Sequence, residues 1–265
     1  DARLHPSQFE AHNSEARFKV LSCGRRWGKT RLGVNECIDI ASKGGRAWWI
    51  APTYQMTFVG WRPLVRLSRA IPGAVISLSE RRITYPSGGE VTIRSADNPD
   101  SLRGEGLAFV IVDEAAFVKP DVWQESLRPA LSDRQGRALF ISTPRGRNWF
   151  WDIYRKSGAD GWQSFTYPTS ANPFIAPAEI EAARGDLADI IFRQEYLAEF
   201  VDMEGAVFRR VQEAVFGQPI TEPTPGRQYV AGVDVAASVD YTVVCVFDVQ
   251  SKQMVFLDRF NRVDY

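Results

Sequence analysis

The stretch Cys23-Gly24-Arg25-Arg26-Trp27-Gly28-Lys29-Thr30 decides how this chain is read. The β-prone run Phe18-Lys19-Val20-Leu21-Ser22-Cys23 leads into it, and beyond it apolar residues fall at Leu32, Val34, Cys37, Ile38 and Ala41, a spacing that suits a helix. A strand, a glycine-bearing loop and a helix, in that order, make the context of a phosphate-binding loop, because the helix start aims its free N–H groups at an anion. The usual pattern is G-x-x-x-x-G-K-[ST]. Here Cys23 occupies the first glycine position and Gly24 is displaced by one, while Gly28-Lys29-Thr30 is intact. In this reading Lys29 neutralises the β- and γ-phosphates of a nucleoside triphosphate and the Thr30 hydroxyl ligates Mg²⁺.

Two apolar runs further along complete the pattern. Phe109-Val110-Ile111-Val112 ends in Asp113-Glu114, and Ala138-Leu139-Phe140-Ile141 ends in Ser142-Thr143-Pro144. Continuous apolar runs are expected of parallel strands buried on both faces. Asp113 is then the candidate to hold Mg²⁺ through its water shell, and Glu114 to polarise the attacking water. Taken alone, the pair also reads as an acidic strand end or helix cap. The hydroxyls of Ser142 and Thr143 should emerge beside the γ-phosphate, where they report its presence to a moving segment; a plain cap or turn is the other reading.

Further strands are expected at Ala47–Ala51 and on either side of the Pro86–Gly89 turn (82–85 and 90–93), with a helix over Asp121–Leu131 and mainly helix over 172–200. The βαβ rhythm predicts an α/β fold whose site lies at the carboxyl ends of a mainly parallel sheet. Residues 1–202 are read as this domain and 203–226, rich in Gly and Pro, as a linker. Residues 227–265 begin a β-rich unit with strands at 230–235, 242–249 and 254–257, too short to be a complete domain.

Composition narrows the function classes. No apolar run is long enough to span a bilayer, the N-terminal residues do not read as a secretory signal, and a cytoplasmic location is the default. Cys23, Cys37 and Cys245 form no CxxC pair, and His5 and His12 have no cysteine nearby, which argues against disulfides and zinc. The zero net charge hides an asymmetry: residues 1–150 carry 22 Lys and Arg against 15 Asp and Glu, and the remainder 10 against 17. The basic residues of the first part are mostly arginines, suited to forked contacts with phosphate oxygens.

Several segments together resemble one family, the large terminase subunit of tailed bacteriophages, an ATP-driven motor that packages DNA into a procapsid. They are Gly24–Thr30, Ile50–Tyr54, Ser101–Gly104, Val110–Ala116, Ser142–Gly146, Glu195–Phe200 and Gly232–Asp234, in family order over nearly the whole chain. The resemblance implies a P-loop ATPase of the ASCE type followed by the start of an RNase H-like nuclease. It implies that Gln8 reads the adenine, that the ATP-binding loop comprises Gly24, Arg25, Arg26, Trp27, Gly28, Lys29 and Thr30, and that Arg25 senses phosphate in cis. Arg103 is implied as an arginine finger inserted into a neighbour's site, and Ser142 and Thr143 as the coupling motif. Asp234, with Asp240 as a weaker companion, would be a nuclease carboxylate for Mg²⁺ or Mn²⁺, the rest of the cluster falling outside this chain so that it should not cut DNA. The implied partners are double-stranded DNA, a homo-oligomeric ring (a pentamer in the family), the portal protein and the small terminase subunit. The implied place is the host cytoplasm, docked on the procapsid.

Arg81, Arg82, Arg94, Arg128, Arg134 and Arg137 are candidates for the DNA backbone. Two other readings compete. One is a helicase-like translocase, which would need a second motor domain; the other is a nucleotide-gated scaffold, which has no use for Glu114.

Overall fold

The computed structural model describes residues 4–201, 222–235 and 241–260. The chain divides into two compact units, Asp1–Val207 and Phe208–Tyr265. Eight strands of the first unit form one sheet: β1 (Phe18–Cys23), β2 (Arg46–Ala51), β3 (Val75–Ser77), β4 (Arg82–Thr84), β5 (Glu90–Ser95), β6 (Phe109–Asp113), β7 (Arg137–Ser142) and β8 (Trp162–Tyr167). Their order is β3-β4-β5-β2-β6-β7-β1-β8. Strands β5 to β8 in that order pair parallel, and β3 and β4 add an antiparallel edge. The α/β expectation therefore holds, with β7 inserted between β1 and β6 as in the ASCE class.

Both faces of the sheet are covered, which is why its central strands are apolar without alternation. Adjacent residues go to opposite cores. Leu21, Trp49, Ile111 and Ile141 meet Leu32 and Cys37 of α2 (Lys29–Ser42) and Trp61 and Leu64 of α3 (Thr57–Ser68). Val20, Trp48, Val110 and Phe140 meet Trp123, Leu127, Phe150 and Ile153 on the other side. Gly60 lets α3 press onto the sheet, since a Cβ there would lie 2.3 Å from the Trp49 ring. Lys19, in the middle of β1, is buried yet satisfied: its Nζ donates to Glu36 Oε1 at 2.8 Å and to Ala11 O at 3.0 Å, which docks α1 (Pro6–Asn13) on the strand.

Some expected elements differ. The helix read over Asp121–Leu131 is a π-helical turn, Val122–Leu127, running into a single α-turn, α4 (Arg128–Ala130). The stretch 172–200 is mainly helical as expected, in two helices, α6 (Pro177–Asp186) and α7 (Asp189–Glu195), while α5 (Trp149–Tyr154) follows β7. The edge strand β8 and helix α3 are additions to the elements expected from the sequence.

In the second unit, β9 (Tyr229–Asp234), β10 (Thr242–Asp248) and β11 (Gln253–Phe260) form an antiparallel sheet in the order β11-β10-β9. Most of the expected linker, 203–221, lies outside the described residues. Among the described residues no helix is long and apolar enough to cross a membrane.

Candidate nucleotide-binding site

The carboxyl ends of β1, β7 and β6 lie side by side and place the loop after Cys23, the Ser142-Thr143 pair and the Asp113-Glu114 pair next to one another. The loop explains its own irregular glycine. Cys23 is wholly buried in the core, and burial pushes its thiol up to about 12, so this position needs an apolar side chain. Gly24 is where the chain passes against the wall of the site: a Cβ there would lie 2.6 Å from both Thr169 Oγ1 and Tyr196 O. Gly28, at φ 109°, occupies the left-handed region before α2, and a Cβ would strike Gln8 Nε2 at 2.4 Å.

The loop is clamped from three sides. From α1, Gln8 Nε2 donates to Gly28 O at 2.9 Å while Gln8 Oε1 accepts from the His5 N–H at 3.1 Å. Trp27 is wholly buried, stacks on Tyr167 at 4.9 Å, and donates from Nε1 to Ser7 Oγ at 3.0 Å. From the segment after β8, Thr169 Oγ1 donates to Arg25 O at 2.8 Å and Asn172 Nδ2 to Arg26 O at 2.6 Å. From α7, Glu195 O accepts the Arg25 N–H at 2.7 Å, and Glu195 Oε2 accepts Arg25 Nε at 2.5 Å. That carboxylate raises the Arg25 guanidinium above its ordinary range. Gln8 is thus placed beneath the loop with both amide ends engaged by backbone, and Arg25 is held on Glu195.

Lys29 is 9 % exposed and has no carboxylate partner among the described residues; its Nζ donates to Cys23 O at 3.1 Å, Gly24 O at 3.3 Å and Thr143 Oγ1 at 3.2 Å. Thr30 follows in the first turn of α2, half-buried. Asp113 is 5 % exposed, and burial, reinforced by neighbouring Glu114, pushes its carboxyl up to about 7. Its Oδ1 accepts the Glu114 N–H at 3.0 Å. Glu114 takes a left-handed conformation, φ 47°, at the strand end, and its Oε2 lies 3.2 Å from Ser142 Oγ. Ser142 Oγ also lies 2.8 Å from Thr143 O and accepts the Ala116 N–H at 3.3 Å.

A buried ammonium and a buried carboxylate that sit close enough to attract each other but form no ion-pair contact are the donor set that a polyphosphate with a divalent cation completes. The residues fit that pair of ligands. Thr30 and Asp113 would hold the metal, and Lys29 with the loop N–H groups the phosphates.

The structure brings together Gln8, residues Gly24–Thr30, Asp113, Glu114, Ser142 and Thr143. It does not bring Arg103 to them: that guanidinium contacts Glu125 Oε2 at 3.1 Å and Asp100 Oδ1 at 3.6 Å. Asp234 ends β9 in the second unit, exposed. Asp240 lies outside the described residues. Among the described residues no group of three or more His, Cys, Asp or Glu is arranged to hold a metal. Sequence reading missed Glu195, Thr169 and Asn172 as walls of the loop. They come from distant segments, and only Glu195, inside the Glu195–Phe200 resemblance, left a signal.

Comparison with known proteins identifies the family and the fold. Residues 20–215 match the family described as terminase large subunit, T4likevirus-type, N-terminal. The terminase large subunit of Thermus virus P23-45 is 30 % identical over 303 residues, an overlap covering 97 % of this chain and 62 % of that protein. Among solved structures, the large terminase ATPase domain of Thermus phage P74-26 superimposes with a TM-score of 0.64 at 32 % identity, over 75 % of this chain and 94 % of that one. The large terminase of another thermophilic bacteriophage, solved in complex with ADP, shares the fold with a TM-score of 0.66 at 15 % identity, over 98 % of this chain and 69 % of that one. The chain therefore spans somewhat less than two thirds of the length of the curated relative from P23-45.

Proposed function

The chain belongs to the terminase large subunit family, and on that premise we propose that it hydrolyses ATP with Mg²⁺ and uses the energy to move double-stranded DNA into a viral procapsid. The observation that carries the proposal is the line of contacts from Lys29 Nζ to Thr143 Oγ1 and from Ser142 Oγ to Glu114 Oε2. It joins the phosphate-binding cation and the water-polarising carboxylate through two adjacent residues at the end of β7. Filling the loop with a triphosphate draws Lys29 off Thr143, and that change is felt one residue from the group that holds Glu114. Ser142 and Thr143 are therefore assigned to coupling.

The other roles follow from charge and position. Lys29 and the loop bind the phosphates, Thr30 and Asp113 the Mg²⁺, and Glu114 orients the attacking water. Arg25 must leave Glu195 to act as the cis phosphate sensor. Arg103, turned to Glu125, is the finger given to a neighbouring subunit in a ring. Gln8, besides any contact with adenine, sets the height of Gly28. Asp234 is the first metal carboxylate of a nuclease completed by other residues, with Mg²⁺ or Mn²⁺. A pentameric ring, the portal and the small terminase subunit are the proposed assembly partners, at a procapsid in the host cytoplasm.

For the DNA track, three arginines at α3 stand out. Arg62, Arg66 and Arg69 are exposed, form no ion pair among the described residues, and follow one another on the solvent face of the helix and its C-cap. With a rise of about 1.5 Å per residue, Arg62 and Arg66 are offset by about 6 Å along the axis, a step suited to successive backbone phosphates. By contrast, Arg82 and Arg94 already pair with glutamates, Arg137 donates to Ser14 O and Ala16 O, and Arg81 lies 3.8 Å from the centroid of Tyr54.

Glu114→Gln is the direct test. ATP binding should persist while turnover falls by about 10²–10⁴-fold, the range for losing a positioned acid–base group. Unchanged turnover would reject the assignment of Glu114 to the attacking water.

A further inference from the structure

At the amino ends of the strands a second cleft opens, of about 510 Å³, lined by Arg17, Phe18, Trp123, Arg128, Lys156 and Trp162, with Asp160 on the same lining. Phe18 and Trp162 are the first residues of β1 and β8 and pair in register. The nucleotide loop follows the other end of β1, about 17 Å away at the usual rise of a strand. The two sites are therefore separate.

Three cations converge here on one aromatic cluster. Phe18 lies 4.8 Å from Trp162 and 5.7 Å from Trp123, centroid to centroid. The Arg17 guanidinium sits 5.0 Å from the centre of the Phe18 ring and Arg128 5.4 Å from the same centre, while Lys156 Nζ sits 5.0 Å from that of Trp162. Arg17 is fixed in place by donating to Gly136 O at 2.9 Å and Leu131 O at 3.2 Å, and Arg128 contacts Ser132 Oγ at 3.4 Å. None of the three forms an ion pair with a carboxylate among the described residues, although Asp160 lines the same cleft. Ring quadrupoles offset part of the repulsion between like charges, but a cation–π contact supplies only about 0.5–1 kcal/mol where solvent reaches it. An arrangement with this excess of positive charge is completed by an anion.

We propose that this cleft binds a phosphate-bearing ligand of nucleotide size, either a free nucleoside monophosphate or the terminal nucleotide of a DNA strand. Arg128 supplies forked donors for phosphate oxygens, Arg17 its remaining Nη1 and its charge, and Lys156 a point charge. The volume falls within the roughly 300–1,000 Å³ of small-molecule sites and exceeds what a bare phosphate fills. Asp160 is placed to accept N–H groups, which a nucleobase has and inorganic phosphate lacks. The half-buried Trp162 ring offers the base an apolar edge.

The test is calorimetric titration of the whole chain at low salt, with saturating ATPγS present, using three probes: dCMP, a 5′-phosphorylated single-stranded hexanucleotide, and inorganic phosphate. Saturable binding of dCMP supports a free nucleotide as the ligand, and saturable binding of the hexanucleotide alone supports a strand end. In either case Arg128→Glu and Lys156→Glu should each weaken binding by about tenfold. No saturable binding of either nucleotide probe, equal affinity for inorganic phosphate, or indifference to both charge reversals would overturn the proposal.

Discussion

Asp113→Asn should make the nucleotide-free protein more stable while impairing its use of Mg²⁺ and ATP. The carboxyl is pushed from 3.8 up to about 7 because it is buried at the end of β6 beside Glu114, with Lys29 only partly offsetting the penalty. Its folded-state pKa lies above the unfolded one, so between about pH 4 and pH 7 the native protein keeps a proton that the unfolded chain has released, and stability falls as pH rises through that window. Below it neither state is ionised and nothing is lost; above it the loss is complete. A difference of about three units at about 1.4 kcal/mol each sets that loss at about 4 kcal/mol. The amide removes the charge and keeps an Oδ1 that can accept the Glu114 N–H. Urea unfolding without nucleotide should show the Asp113→Asn variant ahead of the native protein by about 1–2 kcal/mol at pH 5 and about 4 kcal/mol at pH 8. Mg²⁺ with ATP should reverse the order at pH 8, because the cation binds the carboxylate and stabilises only the native side chain. A variant that is less stable than the native protein at pH 8 without nucleotide, or an advantage that does not grow between pH 5 and pH 8, would refute the account of Asp113 as a carboxylate kept in the core for a cation.

Lys29→Ala should abolish measurable ATP binding, since the phosphates lose the buried ammonium that faces them, and unaltered affinity in equilibrium dialysis would remove the phosphate-loop assignment. Arg103→Ala and Glu114→Ala subunits should each be inactive alone yet recover part of the turnover when mixed, because a mixed ring contains interfaces with one intact finger and one intact site; a mixture no better than its parents would place Arg103 outside trans catalysis. Each of Arg62→Gln, Arg66→Gln and Arg69→Gln should lower the slope of log affinity for duplex DNA against log salt by about one, the signature of one lost phosphate contact. Slopes that do not move would take α3 out of the DNA track.

The centre of the first unit was legible because strands β1, β6 and β7 bury both faces and so read as nearly uninterrupted apolar runs, each ending in residues proposed for the chemistry. Edge elements were not legible. β8 buries only Phe165 fully, and its Gln163, Ser164 and Thr166 give no apolar run, so the strand is set by pairing with β1 rather than by its own pattern. Helix α3 carries Pro63 in its interior and Gly60 near its start, two residues that read as breaks; packing against Trp49 and the core residues Trp61 and Leu64 overrides them. The π-helical turn at Val122–Leu127 reads as plain helix because the same apolar residues serve either period. At the site, the displaced glycine marked the family, but its cause lies in Thr169 and Tyr196, far away along the chain and invisible to local spacing.

The position of Arg103 looks at first like an argument against its catalytic role, since it is occupied by Glu125 and Asp100. Magnitudes decide otherwise. Arg103 is 54 % exposed and Glu125 63 %, and exposed ion pairs contribute about 0–1 kcal/mol. An arginine finger raises rate by roughly 10³–10⁵, which corresponds to about 4–7 kcal/mol of transition-state stabilisation. If Arg103 is the finger proposed above, the transition state in a neighbouring site outcompetes Glu125 by several kcal/mol, and the Glu125 pair is a resting place from which the guanidinium is released. The same comparison predicts the effect of Glu125→Gln. The substitution should leave hydrolysis within about fivefold of the native rate, because the interaction removed is worth less than about 1 kcal/mol. A loss approaching that of Arg103→Ala would mean that Glu125 holds the finger in its working position rather than its resting one.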